Sequence, residues 1–242
     1  MLLSGNGGST QQRVPASYDA LIFDLDGTLV DTGLDIAISA NFVRVQYGLA
    51  EVPIGVAKSY VGDGVLKLIE RILGHDSATG LTGAKGRSVS RGEVEAGLTV
   101  FMEHYRDHVL DNSVLYPGVE RVLERCCSMP LFLATNKPRG FTDQLLNGLG
   151  LGGMFEHIVA GDETPARKPD PGHLQAVLAQ TKISPSRVMM IGDSPNDVIA
   201  AQKFGAVSVG CTYGLVAPEI VAESLPDFLI GAAIEVLDLV EI

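Results

Sequence analysis

Two aspartates at the end of an apolar run are the residues of this sequence best placed to do chemistry. Ala20 to Phe23 form an uninterrupted apolar run that leads directly into Asp24, and Asp26 and Gly27 follow after one residue. Such a run predicts a strand that is buried on both faces. A carboxylate at the edge of a core loses hydration, which is costly unless a cation or an anion-handling reaction compensates for it. The plainer alternative is a strand-terminating turn, in which Asp and Gly are common.

Polar residues also follow two later apolar runs, which argues against a simple turn. Thr135 and Asn136 follow the run that begins at Met129, and Asp193 follows the run 188–191. In an open parallel sheet, ligands bind outside the carboxyl ends of the strands, where the strand order reverses. We therefore expect these side chains to share one site with the two aspartates.

The elements that must hold these residues fall into two groups along the chain. From residue 116 onward, apolar runs alternate with helical patterns, which predicts an α/β fold with a parallel sheet covered on both faces. Residues 33–112 carry helical patterns and no convincing strand, which indicates an inserted helical module. Within that module, the Gly-, Ser- and Thr-rich stretch 75–92 is predicted to be mainly loop. Residues 1–17 are predicted to be a disordered tail and not a secretion signal.

Composition narrows the class of protein and its partners. The 242 residues suit one α/β domain or a core with an insertion, and no apolar run approaches the length of a membrane span. The net charge of −11 argues against nucleic acid and anionic membranes as partners. Cys126 and Cys127 are adjacent and Cys211 is isolated, which favours reduced thiols and a cytoplasmic location over a disulfide framework.

The residue types fit the hydrolysis or transfer of a phosphomonoester. Asp24 is placed to attack phosphorus, and Asp26 to protonate the leaving oxygen and later activate water. Asp24, the Asp26 carbonyl and Asp193 offer the oxygen ligands that Mg²⁺ prefers. Thr135 and the N–H groups at helix starts can bind phosphate oxygens, and Lys168 can neutralise both Asp24 and the phosphoryl group.

Taken singly, these residues have plainer explanations. Lys168 could be a surface lysine, Asp197 an acid favoured by the helix dipole, and Thr135 a helix N-cap. The prediction of phosphoryl-group chemistry therefore rests on the order of these residues in the chain and on their positions after strands.

Four short motifs, in order, resemble those of the haloacid dehalogenase-like hydrolase superfamily. They are Asp24-Leu25-Asp26-Gly27-Thr28, Thr135-Asn136, Lys168-Pro169 and Gly192-Asp193-Ser194-Pro195-Asn196-Asp197. The resemblance spans residues 20–231. It implies a Rossmann-like catalytic core formed by 18–32 and 113–242, with a helical cap domain at 33–112.

The resemblance also implies a role for each motif residue. Asp24 would be the nucleophile, Asp26 the general acid and base, and Lys168 the residue that neutralises charge. The implied Mg²⁺ ligands are Asp24, Asp26 through its carbonyl, Asp193 and Asp197, the last as a ligand or as an acid that supports the ligands. The expected phosphate-binding residues are Gly27, Thr28, Thr135 and Asn136.

Further runs resemble the phosphoglycolate phosphatases within this superfamily. These runs are Val61-Gly62-Asp63-Gly64, Leu115-Tyr116-Pro117-Gly118-Val119, Thr135-Asn136-Lys137-Pro138 and Thr212-Tyr213-Gly214. Dehalogenases lack an acid at the position of Asp26, so its presence favours phosphoryl transfer. We therefore expect a Mg²⁺-dependent phosphatase that hydrolyses 2-phosphoglycolate through an aspartyl-phosphate. Its partner would be a small phosphorylated metabolite, and the protein would be a monomer or a homodimer.

Several alternatives remain open from the sequence. The same aspartates would serve a phosphomutase of the β-phosphoglucomutase type, or a phosphatase of a sugar phosphate, nucleotide or pyrophosphate. A non-catalytic binding protein could keep the same scaffold. Lys58 or Lys67 could pair with a substrate carboxylate, although a solvated helix face is the favoured explanation for both.

Overall fold

The protein is described from a computed structural model, which covers residues 17–76, 79, 80, 82 and 86–240. Its strands are β1 (Ala20–Phe23), β2 (Val30–Asp31), β3 (Val114–Leu115), β4 (Leu131–Ala134), β5 (His157–Val159), β6 (Val188–Gly192), β7 (Val207–Cys211) and β8 (Phe228–Ile230). Six of these described strands form one sheet in the order β5-β4-β1-β6-β7-β8. Every neighbouring pair in it is parallel. The predicted α/β fold with a parallel sheet is therefore confirmed.

The helices divide into those before and those after β3. The helices are α1 (Gly33–Gln46), α2 (Ile54–Lys58), α3 (Val65–Gly74), α4 (Arg91–His108), α5 (Val119–Arg125), α6 (Arg139–Gly148), α7 (Gly172–Val177), α8 (Pro195–Phe204), α9 (Pro218–Glu223) and α10 (Val236–Leu239). Residues 33–112, which contain α1 to α4, are called the helical segment below. The later helices connect the strands of the sheet.

The central strand is buried on both faces. Leu21 and Phe23 belong to one apolar cluster, whereas Ala20 and Ile22 belong to a second. All four side chains are at most 2% exposed. Since successive side chains of a strand point to opposite faces, two covered faces require the uninterrupted apolar run seen in the sequence. Each large side chain buried in this way stabilises the fold by about 1.5–3 kcal/mol.

Strand order reverses at β1, which places a crevice at its carboxyl end. Strands β4 and β5 lie on one side of β1, and the later strands β6, β7 and β8 lie on its other side. The residues that follow the strands are still held by the sheet. The Asp24 N–H donates to the Ile191 carbonyl at 2.9 Å, and the Thr135 N–H donates to the Val159 carbonyl at 3.0 Å. Side chains at these strand ends are therefore held on a rigid frame.

A short antiparallel ribbon joins the helical segment to the sheet. Strand β2 pairs with β3, with Val30 opposite Leu115. Next to the ribbon, the buried Asp35 accepts hydrogen bonds from the Asn112 N–H at 3.0 Å and the Ser113 hydroxyl at 2.7 Å. The entry and exit of the helical segment are thus tied to each other.

Buried polar side chains hold the helical segment together internally. Arg44 on α1 donates to the Ala50 carbonyl at 2.6 Å and to the His75 carbonyl at 3.1 Å. Asn41 makes two hydrogen bonds of 2.9 Å with the backbone of Val52. These bonds satisfy backbone groups that would otherwise be buried without partners.

Two helical patterns in this segment can be compared with the structure. The pattern at 56–73 predicts two helices separated by Gly62-Asp63-Gly64, and Gly62 and Gly64 lie between α2 and α3, with φ of +121° and +87°. A second pattern predicts a helix at 93–110, and the capping box of Ser90 and Glu93 starts α4 two residues earlier. Residues 77, 78, 81 and 83–85 of the predicted loop, and 1–16 of the predicted tail, lie outside the described residues.

The described part of the chain contains no helix that is both long enough and apolar enough to cross a membrane. All three cysteines are free thiols. Cys126 and Cys211 are buried, and Cys127 is exposed.

Candidate active site

Three buried aspartates converge at the carboxyl end of the sheet. Asp24 follows β1, Asp193 follows β6, and Asp197 lies in the first turn of α8. Each is at most 8% exposed, and each offers a carboxylate oxygen within 4.8 Å of the other two. These three residues are called the acid cluster below.

One buried lysine bridges two members of the acid cluster. The Lys168 Nζ lies 2.7 Å from Asp24 Oδ1 and 2.6 Å from Asp197 Oδ1. Burial alone would lower the pKa of Lys168, but the nearby Asp197 and Asp24 outweigh burial and raise the pKa. Lys168 is therefore a buried cation of the site and not a surface lysine.

The acid cluster carries more negative charge than Lys168 can neutralise. Burial raises the pKa of Asp24 to about 7; Lys168 opposes this shift, while Asp197 adds to it. Burial also raises the pKa of Asp193 well above its usual range, and Asp197 and Asp24 raise it further. When ionised, the three carboxylates exceed the single ammonium by two charges. A divalent cation that prefers oxygen ligands balances this excess, so the residues fit Mg²⁺.

Backbone N–H groups and a helix cap hold the carboxylates in place. Asp197 Oδ2 accepts from the Ser194 N–H at 3.1 Å and from the Ser194 hydroxyl at 2.7 Å. Asp193 Oδ2 accepts from the Leu215 N–H at 2.7 Å. Asp197 thus stabilises the start of α8 through one oxygen and binds Lys168 through the other.

Gly27 leaves room for the acid cluster instead of facing a ligand. Its φ is +82°, and a Cβ at this position would lie 2.0 Å from Asp193 Oδ2. Neither Gly27 nor Thr28 is among the described residues that line the cavity beside the acid cluster. The Thr28 side chain is completely buried. The geometry therefore gives no support to the predicted phosphate contacts of these two residues, because the close approach of Asp193 occupies the space beside Gly27.

Asp26 lines the same cavity, but its carboxylate has separate partners. Thr32 donates its hydroxyl to Asp26 Oδ1 at 2.6 Å. The Lys137 Nζ lies 2.9 Å from Oδ1 and 3.3 Å from Oδ2. The Asp26 carboxylate thus binds Thr32 and Lys137 instead of joining the acid cluster. Its backbone carbonyl is therefore the group that a metal would contact.

Thr135 and Asn136 lie at the end of β4 and differ in their availability. The Thr135 hydroxyl accepts from the Lys137 N–H at 3.1 Å, so its own hydrogen remains to be donated. The Asn136 side chain pairs with the backbone of Lys168 in both directions, at 2.9 and 3.0 Å. Asn136 therefore fixes Lys168, and a phosphate contact from Asn136 would have to come from its backbone N–H or from the second hydrogen of its side-chain amide.

The cavity lies between the sheet and the helical segment and opens to solvent. The helical segment contributes a mainly apolar wall of Ile36, Val61, Val65, Leu68 and Phe101. Neither Lys58 nor Lys67 is among the described lining residues. Lys58 lies 3.7 Å from Asp31 and Lys67 lies 2.7 Å from Glu70, so the solvated helix face is the explanation that holds for both.

The sequence model of the haloacid dehalogenase-like hydrolase family matches residues 21–211. This chain belongs to that family. The match runs from β1 into β7 and includes all four motifs, which confirms the resemblance expected from them.

The chain is also similar to individual hydrolases over nearly their whole length. It is 36% identical over 224 residues to a phosphoglycolate phosphatase of Neisseria gonorrhoeae, covering 90% of this chain and 92% of that protein. It is 32% identical over 221 residues to a phosphoglycolate phosphatase of Pasteurella multocida, covering 90% and 96%. The crystal structure of a predicted phosphoglycolate phosphatase from Haemophilus somnus matches with a TM-score of 0.81 at 26% identity, covering 92% and 97%. This haloacid dehalogenase-like hydrolase is therefore an enzyme similar to the phosphoglycolate phosphatases.

Sequence reasoning missed two residues of the site in this hydrolase. Lys137 is buried, lines the cavity, and contacts both Asp26 and the Tyr105 hydroxyl, the latter at 2.8 Å. Tyr105 comes from α4 in the helical segment. The sequence names Lys137 only within the run Thr135-Asn136-Lys137-Pro138 and gives it no role, because nothing local in the sequence distinguishes a buried lysine from an exposed one.

A second missed contact joins the helical segment to α8. The Asn196 side chain donates to the Gly62 carbonyl at 3.2 Å and to Asp63 Oδ1 at 2.8 Å. Asp63 also forms an ion pair with Arg71 on α3. The loop between α2 and α3 is thus hydrogen-bonded to α8, the helix that carries Asp197 of the acid cluster.

Proposed function

We propose that this chain is a Mg²⁺-dependent phosphatase that hydrolyses 2-phosphoglycolate through an aspartyl-phosphate on Asp24. The observation that carries the proposal is the acid cluster around Lys168, with Asp26 in the same cavity. The relatives named phosphoglycolate phosphatase, at up to 36% identity, support the choice of substrate. The proposal includes a cytoplasmic location and a monomeric or homodimeric state.

In the first step, a carboxylate oxygen of Asp24 attacks phosphorus and forms a new bond to it. The bond between phosphorus and the leaving alkoxide breaks, and Asp26 gives a proton from Oδ2 to the leaving oxygen while its Oδ1 accepts from Lys137 and Thr32. Glycolate leaves, and the phosphoryl group stays on Asp24. Proton donation matters here because an alkoxide is a poor leaving group.

In the second step, a water molecule attacks the phosphorus of the aspartyl-phosphate. Asp26 takes a proton from that water, the bond from phosphorus to Asp24 breaks, and inorganic phosphate is released. Lys168 and the Thr135 hydroxyl offset charge on the phosphoryl oxygens throughout. Mg²⁺, when held by the acid cluster and the Asp26 carbonyl, supplies the remaining positive charge for this transfer.

The helical segment acts as a cap over this chemistry, with 18–32 and 113–242 forming the catalytic core. Its apolar wall excludes water from the reacting groups, which strengthens their electrostatic interactions. The cap leaves a cavity beside the acid cluster, lined by Asp24, Asp26 and Lys168. It also holds the loop 62–64 close to α8, where it would meet the leaving group.

The test is phosphate release from a panel of phosphomonoesters, with Mg²⁺ and with a chelator. The panel contains 2-phosphoglycolate, a sugar phosphate, a nucleotide and pyrophosphate. The expected result is the highest kcat/KM for 2-phosphoglycolate, loss of turnover with the chelator, and recovery on adding Mg²⁺. Isomerisation of a glucose phosphate without phosphate release would instead identify a mutase, and no turnover of any compound would contradict the proposal.

A further inference from the structure

We propose that Lys137, held in turn by Tyr105 of the helical segment, positions the Asp26 carboxylate for proton transfer. The inference rests on the proposed function, because Asp26 is the proton donor and acceptor there. Lys137 and Tyr105 are positioning residues in this account, since they act on the substrate through Asp26.

Lys137 is fixed by partners on two sides. Its Nζ lies 2.9 Å from Asp26 Oδ1 and 2.8 Å from the Tyr105 hydroxyl, and 4.7 Å from the centre of the Tyr105 ring. Its side chain is 4% exposed. A buried ammonium is stable only with close partners, so Lys137 cannot move away from Asp26 without losing an ion pair. Because Thr32 binds the same Asp26 oxygen, the carboxylate is held in one orientation.

Tyr105 brings the helical segment into this contact. It lies on α4 and is almost completely buried, with its ring edge-to-face against Phe141 of α6 at 4.9 Å. Burial raises the pKa of Tyr105 to about 12, so the residue is a neutral phenol at working pH. The chain of contacts therefore runs from the helical segment through a core lysine to the proposed acid.

The geometry favours a positioning role over direct recognition of a substrate carboxylate. Two of the three Lys137 donors point at Asp26 and Tyr105, both of which belong to the protein. Proton transfer requires the acid to lie within hydrogen-bond reach of the leaving oxygen, and small misplacements are costly. Holding Asp26 still therefore has a direct effect on the rate.

The experiment compares Lys137→Met and Tyr105→Phe on three substrates in the presence of Mg²⁺. 2-Phosphoglycolate has an alkoxide leaving group and a carboxylate, ethyl phosphate has the alkoxide alone, and p-nitrophenyl phosphate has a leaving group that departs without a proton. Lys203→Met removes an exposed lysine on α8 and is the control for Lys137. Tyr47→Phe removes a hydroxyl that donates to the Glu93 carbonyl of α4 at 3.0 Å and is the control for Tyr105.

We expect Lys137→Met to lower kcat/KM about 100-fold on both alkyl phosphates and less than about five-fold on p-nitrophenyl phosphate. Tyr105→Phe, which keeps the ring packing, should lower kcat/KM about 10-fold on the alkyl phosphates and leave the aryl phosphate unchanged. Equal losses on all three substrates would overturn the positioning role. A loss confined to 2-phosphoglycolate would overturn it in favour of carboxylate recognition.

A crystal structure of Lys137→Met tests the same inference without activity. We expect the Asp26 carboxylate to leave its position beside Thr32 or to occupy several rotamers. An unchanged carboxylate would contradict the inference. If the wild-type protein hydrolyses none of the three substrates, the proposed function fails, and the crystallographic comparison still decides the role of Lys137.

Discussion

At the scale of single residues, the site depends on how buried charges are arranged around one lysine. Lys168 binds two carboxylates of the acid cluster, while Asp193 is held by backbone N–H groups. This arrangement leaves a net negative charge that suits a divalent cation. Space is as important as charge, because the carboxylates approach the backbone more closely than any Cβ would allow.

Gly27→Ala tests the requirement for space. A Cβ would lie 2.0 Å from Asp193 Oδ2, so the variant should displace Asp193 and lose at least about 100-fold in kcat/KM, in line with the cost of misplacing a site by about 1 Å. Gly48→Ala is the matched control, because Gly48 also has a positive φ (+67°) but would have no atom within 4 Å of its Cβ. Backbone strain should cost both variants about 1 kcal/mol of unfolding free energy, measured by urea unfolding, and the clash with Asp193 should add to the loss in Gly27→Ala. Full activity of Gly27→Ala would show that Asp193 does not need its observed position.

The residues that the sequence predicted and those that it missed differ in the kind of signal they carry. Asp24, Asp193 and Lys168 each stand in a short motif after a strand or in the following loop, and the structure brings them together. Lys137 has partners 32 and 111 positions away in the chain, at Tyr105 and Asp26. A pairing between such distant residues leaves no local pattern, so only the fold reveals it.

At the scale of elements, the loop between α2 and α3 is the point where the helical segment is fastened to α8. Asn196 makes the connection through two hydrogen bonds to the loop. Asp63 is in turn held by Asn196 and Arg71, and its pKa is lowered by both although burial opposes them. The loop is therefore held in place by polar contacts that can break when the segment moves.

Asn196→Ala should weaken this connection without altering the acid cluster. Each lost hydrogen bond costs about 0.5–1.5 kcal/mol, so we expect kcat/KM for 2-phosphoglycolate to fall about five- to ten-fold. Gln202→Ala is the control, because Gln202 on the same helix donates to two backbone carbonyls, those of Leu225 and Ser224, away from the helical segment. Steady-state kinetics on both variants check the prediction. Equal kinetics for the two would mean that the connection has no part in catalysis.

Sequence patterns located the long elements better than the short ones. The four inner strands of the sheet are visible as mainly apolar runs because both of their faces are covered. The break at Gly62 and Gly64 is visible because glycine interrupts a helical pattern. The pairing of β2 with β3 was missed, since two-residue strands have no periodicity. The pattern at 232–239 predicts one helix, whereas the structure has a 3₁₀ turn at Ala233–Glu235 followed by α10.

At the scale of the whole molecule, the net charge of −11 opposes the approach of an anionic substrate. Attraction must therefore come from local cations, namely Lys168, Lys137 and a metal held by the acid cluster. Since surface charges are screened within about 10 Å at 0.1 M salt, these buried cations can act on a substrate inside the cavity.

Mg²⁺ should stabilise the protein more at about pH 8 than at about pH 5. Burial raises the pKa of Asp24 from its ordinary value to about 7, so the folded state holds this proton more tightly than the unfolded state does. Without metal, the contribution of Asp24 to the free energy of unfolding therefore falls as pH rises from about 4 to about 7 and stays low above that. At high pH the Asp24 carboxylate is ionised, and bound Mg²⁺ neutralises its charge. At low pH Mg²⁺ must compete with the proton for this carboxylate. Thermal unfolding with and without Mg²⁺ measures the difference, and an equal shift at both pH values would contradict the assignment.

The measurement that tests the central claim most directly is an acid-quenched single turnover with 2-phosphoglycolate and Mg²⁺, followed by mass spectrometry of the digested protein. We predict a phosphoryl group on the peptide that contains Asp24. Asp24→Asn should show neither this phosphopeptide nor Mg²⁺-dependent hydrolysis, while its far-UV circular dichroism stays unchanged. Phosphate release by Asp24→Asn, or turnover of the wild-type protein through a phosphoryl group on another residue, would contradict the account.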